Sequence, residues 1–375
     1  MQNLMTTYHI IGLMSGSSLD GLDIAHCQFS VNEAHEILSW EILQATTMPY
    51  SEQWQERLRN LPTVNALELA QADVAYGALI GEMVHQFIQE RGLTPDYVAS
   101  HGHTIFHYPE QKLSLQIGNG AAIAAATGHH VLCDFRTQDM AFGGQGAPLA
   151  PTADRYLFGE YQCCLNLGGI ANLSVQTPRG YVAFDICGAN QILNALVAPL
   201  GLEYDDKGAM AASGQFIPAL FEQSLGLSFF QEDYPKSLGN DWVQEYQVQA
   251  FLDYEASIAD KLHTANRMIG QLIANHLRTV KQREKLSPSE LNMLITGGGA
   301  FNEFMVDCIQ EACGAAVQIH IPSAIIIGFK EAALMALMGL LRIRQQPNCL
   351  CSVTGASQDS INGALYQAPQ LMTTY

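Results

Sequence analysis

Basic residues are scarce in this chain: 18 lysines and arginines stand against 36 acidic residues, for a net charge of −18. Non-specific nucleic-acid binding needs a basic surface that displaces counterions, so no nucleic-acid partner is expected. An acidic chain that binds a polyanion must instead use backbone amides, helix N-termini and a divalent cation. The 32 glycines suit that route. Long apolar runs are missing too. The longest, Ala332 to Leu341, is about half a membrane span and is flanked by Lys330, Glu331 and Arg342, so no membrane partner is expected. The stretch Met1 to His9 is mostly polar and the next apolar run breaks at Ser15 to Asp20, unlike a secretory leader. The nine cysteines lack metal-ligand spacing: Cys163 and Cys164 are adjacent, and Cys349-x-Cys351 stands alone. Reduced thiols in a cytoplasmic protein are the expectation. Low-complexity segments, short-period repeats and a Walker-type Gly-Lys-Ser are all absent.

What is present is an ordinary globular composition, 48% hydrophobic and 14% charged, in 375 residues, enough for two domains. One grammar appears three times: a short apolar strand, a glycine-rich turn, then a strand or helix. The first instance is Tyr8 to Met14, turning at Ser15 to Ser18 and returning over Leu22 to Phe29. The second is Cys164 to Ser174, turning at Gly168-Gly169, followed by Tyr181 to Ile186. The third is Leu291 to Ile295, then Thr296 to Asn302, then a helix through Ile309. Two hairpins of one style suggest related halves facing each other across a cleft. Apolar residues at helical spacing predict long scaffold helices over Leu67 to Glu90 and Ala256 to Gln282. Strands mixed with long helices indicate α/β architecture.

Several constellations carry chemistry, each with a plainer reading beside it. The turn at Ser15 to Ser18 is either a tight serine-glycine hairpin or a cradle whose amides approach phosphates, with Asp20 and Asp23 able to hold hydrated Mg2+. Gly168, Gly169 and Asn172 form a comparable turn, and Gly297, Gly298 and Gly299 fit close packing of a strand end against a nucleotide. Asp185 closes an apolar strand and is either a general base or the N-cap of a helix over Asn190 to Leu200. Arg136 between Asp134 and Asp139 is either one side of a structural ion pair or a fork for a substrate. His101, His103 and His107 lack a carboxylate or cysteine partner at ligand spacing and are not read as a metal site.

Taken in order, these residues resemble the anhydro-N-acetylmuramic acid kinases of the actin/hexokinase superfamily. The resemblance runs through Gly12 to Asp23, His101 to Thr104, Leu115 to Gly118, Asp134 to Arg136, Gly143 to Leu149, Leu165 to Leu173, Phe184-Asp185, Thr296 to Gly299, Glu331-Ala332 and Ser352 to Ala356. It implies a two-domain actin/hexokinase-like (ribonuclease H-like) α/β fold with a central ATP cleft. The expected domains are 1–138 with 345–375, carrying the first hairpin, and 139–344, carrying the second hairpin and Asp185. It also implies an ATP- and Mg2+-dependent sugar kinase, a homodimer, that opens 1,6-anhydro-N-acetylmuramic acid from cell-wall recycling and phosphorylates O6. Asp185 would activate the attacking water, as an inverting glycosidase base does. Gly16, Ser17, Ser18, Leu19, Asp20, Gly21, Leu22 and Asp23 would hold the phosphates; Gln116, Arg136 and Glu331 would contact the sugar. The chain departs from the family at Ile186, Cys187, Gly188, Asn194, Asn119, Leu238, Asn240, Phe329 and Lys330. A kinase for a plain 1,6-anhydrohexose, or a non-catalytic nucleotide-binding homologue, therefore stays open at this point.

Overall fold

The computed structural model describes residues 5–16, 18–286 and 291–368. Ser17, assigned above to the phosphate cradle, lies outside the described residues. The chain forms two compact units, one built from the segments up to Leu157 and from Phe329 onward, the other from Phe158–Gly328. The expected domains divide at 138/139 and 344/345; the compact units divide elsewhere, and hydrogen bonds give the reason. The Asp139 amide donates to Asn362 Oδ1 at 2.9 Å, Thr354 Oγ1 donates to Asp139 Oδ1 at 2.8 Å, and Thr152 Oγ1 donates to the Asn348 carbonyl at 3.0 Å. These bonds fasten 139–157 to the returning chain.

The first unit contributes β1 (Thr6–Met14), β2 (Gly21–Val31), β3 (Ile37–Pro49), β4 (Tyr97–Ser100), β5 (His103–Tyr108), β6 (Leu113–Ile117) and β7 (His130–Cys133). The second contributes β8 (Cys163–Leu167), β9 (Ile170–Thr177), β10 (Gly180–Gly188), β11 (Leu291–Thr296) and β12 (Val317–His320); β13 (Ala364–Tyr366) returns to the first. The large sheet of the first unit runs β13-β7-β4-β1-β2-β3, with β5 and β6 forming a separate antiparallel pair. The sheet of the second unit runs β10-β9-β8-β11-β12.

Both sheets share one plan. A three-strand antiparallel meander leads, then two parallel strands join on the far side of its first strand. This is the strand order of the ribonuclease H-like fold that the resemblance implies, present once in each unit. The interior strands are mostly apolar, as strands buried on both faces are: Ile10, Ile11 and Leu13 are fully buried on β1, as are Leu165 and Leu167 on β8.

The two long helices appear where the periodicity puts them. Ala66–Arg91 starts at Asn65, whose side chain accepts from the Glu68 amide, and stops at left-handed Gly92. It buries Ala72, Tyr76, Ile80, Val84 and Phe87, one stripe at helical spacing, in the core of the first unit. Ile258–Arg283 starts at Ser257 and buries Leu262, Ile269, Ile273 and Leu277 in the core of the second.

A third helix, Ala324–Ile343, is long and apolar enough to cross a membrane by length and composition, yet two-thirds of its most apolar window is buried inside the protein. Gly12 shows why. A Cβ on that residue of β1 would collide with the Ala332 carbonyl and lie 2.7 Å from the Ala336 amide, so strand and helix backbones touch there. Gly12→Ala should therefore destabilise the fold by about 1–3 kcal/mol, the range for overpacking a close contact. Urea denaturation would check this, and an unchanged midpoint would contradict it.

Candidate active site

In the first unit the phosphate-cradle candidates occupy the β1–β2 hairpin. Leu19 takes a left-handed φ of 60° and its amide reaches the Gly16 carbonyl at 3.4 Å. Asp20 Oδ1 accepts from Ser18 Oγ at 2.6 Å and from the Gly21 amide at 3.0 Å, which ties the turn to its own carboxylate. Asp23 Oδ1 accepts from Thr47 Oγ1 at 2.5 Å. Burial holds the Asp23 carboxyl above its ordinary value, with the Thr47 bond opposing and the neighbouring Asp20 charge adding.

The glycines of this loop differ in what they are for. Among the described residues, a Cβ on Gly16 would meet Ser18 Oγ alone, at 3.6 Å, which leaves a ligand room to approach. At Gly21 the missing Cβ leaves space for the Met48 carbonyl of β3, which is strand packing. Leu22 is 1% exposed, its side chain in the core, so only its backbone can meet a ligand.

The sugar candidates lie in the same unit. Gln116 on β6 donates through Nε2 to Ser114 Oγ at 2.7 Å and to Thr104 Oγ1 at 3.2 Å. Arg136 does not form the ion pair left open above. Asp134 Oδ1 accepts from the Thr137 hydroxyl at 2.5 Å, and Asp139 takes Thr354 Oγ1 and the Gly146 amide, each at 2.8 Å. Arg136 instead donates from Nε to His101 Nε2 at 3.0 Å and from Nη1 to the Gly146 carbonyl at 2.8 Å. Glu331, still reached by solvent, is crowded enough that its carboxyl sits above the ordinary value; Lys330 opposes, Asp23 adds and Arg136 opposes. Glu331, Asp23 and Arg136 thus lie within electrostatic reach of one another.

The second unit assembles its candidates on one sheet. Cross-strand register aligns Thr296 of β11, Asn166 of β8, Asn172 of β9 and Asp185 of β10, one polar row across four strands. The β8–β9 turn is closed by the start of the helix Asn190–Val197: the Ala189 amide reaches the Gly169 carbonyl at 2.8 Å and the Asn190 amide the Gly168 carbonyl at 3.1 Å. Among the third set of glycines, Gly297 (φ 81°) and Gly299 make room for Leu167, with Cβ positions 2.7 Å from its carbonyl oxygen and from its Cβ respectively. Gly298 is exposed, its nearest obstacle Asn190 Nδ2 at 3.7 Å, and is the one a ligand could approach.

Asp185 is half-buried beside a bulge that separates it from Cys187. It is not the N-cap allowed by the sequence. Its Oδ2 accepts from the Leu238 amide at 2.8 Å, and its own amide donates to the Lys236 carbonyl at 3.0 Å. Lys236 Nζ is anchored at the Phe229 carbonyl, 2.7 Å away, and at His276 Nε2, 3.0 Å away. Burial raises the Asp185 carboxyl above its ordinary value, and the Leu238 bond opposes the shift. A carboxylate partly stripped of water and left one strong hydrogen bond is a better proton acceptor than a solvated one.

Sequence reading missed Asn166, Leu238 and His101 as parts of these sites. Asn166 has a signal in hindsight, since it is a polar residue in the apolar strand β8, one residue removed from the second glycine turn. The Leu238 amide and the His101 ring have none, because each meets its partner at long sequence separation. Among the described residues no group of three or more histidines, cysteines or acids is arranged to hold a metal.

The family model described as Anhydro-N-acetylmuramic acid kinase matches residues 8–368. The anhydro-N-acetylmuramic acid kinase of Hydrogenovibrio crunogenus is 32% identical, covering 95% of this chain and 97% of that protein. The enzyme of the same name from Coxiella burnetii is 33% identical, over 95% of this chain and 96% of its own. Among solved structures, the activator of the 2-hydroxyisocaproyl-CoA dehydratase from Clostridium difficile, with bound ADPNP, is 12% identical with a TM-score of 0.36, covering 91% of this chain and 97% of that one.

Asp185→Asn tests the solvation argument apart from any activity. The folded pKa of this carboxyl lies above its unfolded value, so its ionised form costs stability at neutral pH, a cost that vanishes as pH falls through the folded pKa. The variant should melt no lower than wild type at pH 8, with any advantage shrinking toward pH 4. A variant that melts clearly lower at pH 8 would contradict the desolvation argument.

Proposed function

The chain belongs to the anhydro-N-acetylmuramic acid kinase family, and from that premise we propose that it opens 1,6-anhydro-N-acetylmuramic acid with water and transfers the γ-phosphoryl group of ATP to O6. The reading is carried by Asp185, a half-buried carboxylate raised by desolvation and held by the Leu238 amide.

The balance of the reaction follows from the ring. Asp185 takes a proton from water as its oxygen bonds to the anomeric carbon, on the face opposite the bridge. The bond from C1 to the bridging oxygen breaks, and that oxygen, now O6, attacks the γ-phosphorus in line while ADP departs. Water and ATP are consumed; N-acetylmuramic acid 6-phosphate, ADP and a proton are released. No protein acid is needed for the bridge oxygen, because phosphorus accepts its electrons.

For ATP, the backbone of Gly16 to Asp23 and the turn at Gly168, Gly169 and Asn172 are the proposed hosts of the phosphates, and Gly297 to Gly299 of the nucleotide, with room for a ligand at Gly16 and Gly298. Gln116, Arg136 and Glu331 are the proposed sugar contacts, and all three belong to the first unit. Mg2+ fits the donors present: Asp20 and Asp23 offer hard oxygens, and the Asp23 carboxyl, raised chiefly by burial and further by the Asp20 charge, would gain from a cation. When bound there the ion neutralises phosphate charge. A cytoplasmic homodimer is part of the same proposal and rests on the family alone.

The departures from the family pattern bear on the sugar. Asn119 caps the helix Gly120–Thr127, its Oδ1 accepting from the Ala122 amide at 3.1 Å, while its Nδ2 donates to Asp73 Oδ2 at 3.1 Å. Lys330 lies 3.8 Å from Asp154 in a buried ion pair. Both substitutions therefore have scaffold roles of their own, which supports keeping the muramyl substrate. Coupled assays with ATP and Mg2+ should give a higher kcat/KM for 1,6-anhydro-N-acetylmuramic acid than for 1,6-anhydroglucose. Preference for the plain sugar would replace the substrate assignment, and ATP binding without transfer to either would replace the kinase reading.

A further inference from the structure

Two histidines set aside as metal ligands each meet a different part of the proposed site. His101 is 5% exposed and its Nδ1 lies 3.1 Å from the Gly102 carbonyl. A carbonyl only accepts, so Nδ1 carries a proton; Nε2 faces an Arg136 N–H, which only donates, so Nε2 keeps its lone pair and the ring is neutral. That lone pair accepts Arg136 Nε–H at 3.0 Å, while Nη1 of the same guanidinium is pinned 2.8 Å from the Gly146 carbonyl. Held at two points, the planar fork has one orientation.

His103 is 7% exposed and faces the other way. Its Nδ1 shares a hydrogen bond of 3.1 Å with Ser15 Oγ, and Ser15 directly precedes Gly16. Tyr76 meets the His103 ring edge-on with centroids 6.3 Å apart, and its hydroxyl lies 2.7 Å from that of Tyr50. The two tyrosines and the histidine form the wall against which the Ser15 hydroxyl is held. Gly102 makes the arrangement possible. It sits at φ 74°, and a Cβ there would collide with the Ile117 carbonyl of β6, so β5 and β6 can close only around a glycine.

We propose that His101 and His103 are separate positioning residues, His101 orienting Arg136 for the sugar and His103 fixing Ser15 at the mouth of the phosphate hairpin. The proposal rests on the assignment of Arg136 to sugar and of the hairpin to phosphate. Neither ring need touch a substrate or change its protonation state. The two duties are separable although one glycine divides them, because each ring bonds a different partner.

The test is a comparison of KM values in the full-length protein. His101→Phe should raise the KM for the anhydro sugar about tenfold, a lost hydrogen bond to a charged group, with the KM for ATP unchanged. His103→Phe should raise the KM for ATP and leave that for the sugar. His101→Gln, whose side-chain oxygen can accept from Arg136, should restore part of the sugar affinity, and it carries the test if the phenylalanine variant does not fold. Both constants shifting together, neither shifting, or the reverse pattern would overturn the proposal. If wild-type protein turns over no anhydro sugar, the functional reading fails instead. Binding of a fluorescent ATP analogue then decides the matter: weakening in His103→Phe but not in His101→Phe sustains the division, and any other result ends it.

Discussion

Asp185 stands on β10, the edge strand of its sheet, where its backbone and side chain would ordinarily be left to water. The segment at Lys236 to Leu238 takes that place, accepting the Asp185 amide and donating to its carboxylate. Those two bonds hold the carboxylate in one orientation while the surrounding protein removes enough water to raise its proton affinity. The position of the segment depends in turn on Lys236, anchored to the nearby Phe229 carbonyl and to His276, 40 residues along the chain. A fully solvated aspartate would be a weak base, and a fully buried one would be protonated and silent; half-burial with one amide donor lies between.

The glycines show how the same residue type serves two ends. Gly12, Gly21, Gly297 and Gly299 leave room for protein backbone or side chain, whereas Gly16 and Gly298 border open space. All six stand in or beside glycine-rich turns that the sequence offers as nucleotide-binding. A glycine-rich turn therefore has to be dissected residue by residue, because close packing of a strand and close approach of a ligand make the same demand for a missing Cβ.

Strand-turn-strand grammar and helical periodicity were enough to locate the hairpins, the long helices and the strand carrying Asp185, since each reports on a local face of one element. They could not show which distant group an element's polar residue would meet. Adjacency left Arg136, between two aspartates, open to an ion pair, but the turn geometry gives both carboxylates backbone amides and hydroxyls and hands the guanidinium to a histidine in the β4–β5 loop. The compact units divide at other residues than the expected domains for the same reason: the bonds joining Asp139 and Thr152 to Asn362 and Asn348 have no local signature. The order of the resembling motifs carried information that composition and periodicity lacked, and it brought Gln116 and Glu331 into consideration.

The central claim is that Asp185 supplies the base for opening the anhydro bridge. Asp185→Asn keeps the shape of the side chain and an acceptor for the Leu238 amide but removes the basic oxygen. With turnover and nucleotide affinity measured on one preparation, the account predicts that kcat falls at least about 100-fold, the lower range for losing a general base, while ATP binds as before. A near-normal rate would remove Asp185 from the chemistry and contradict the account.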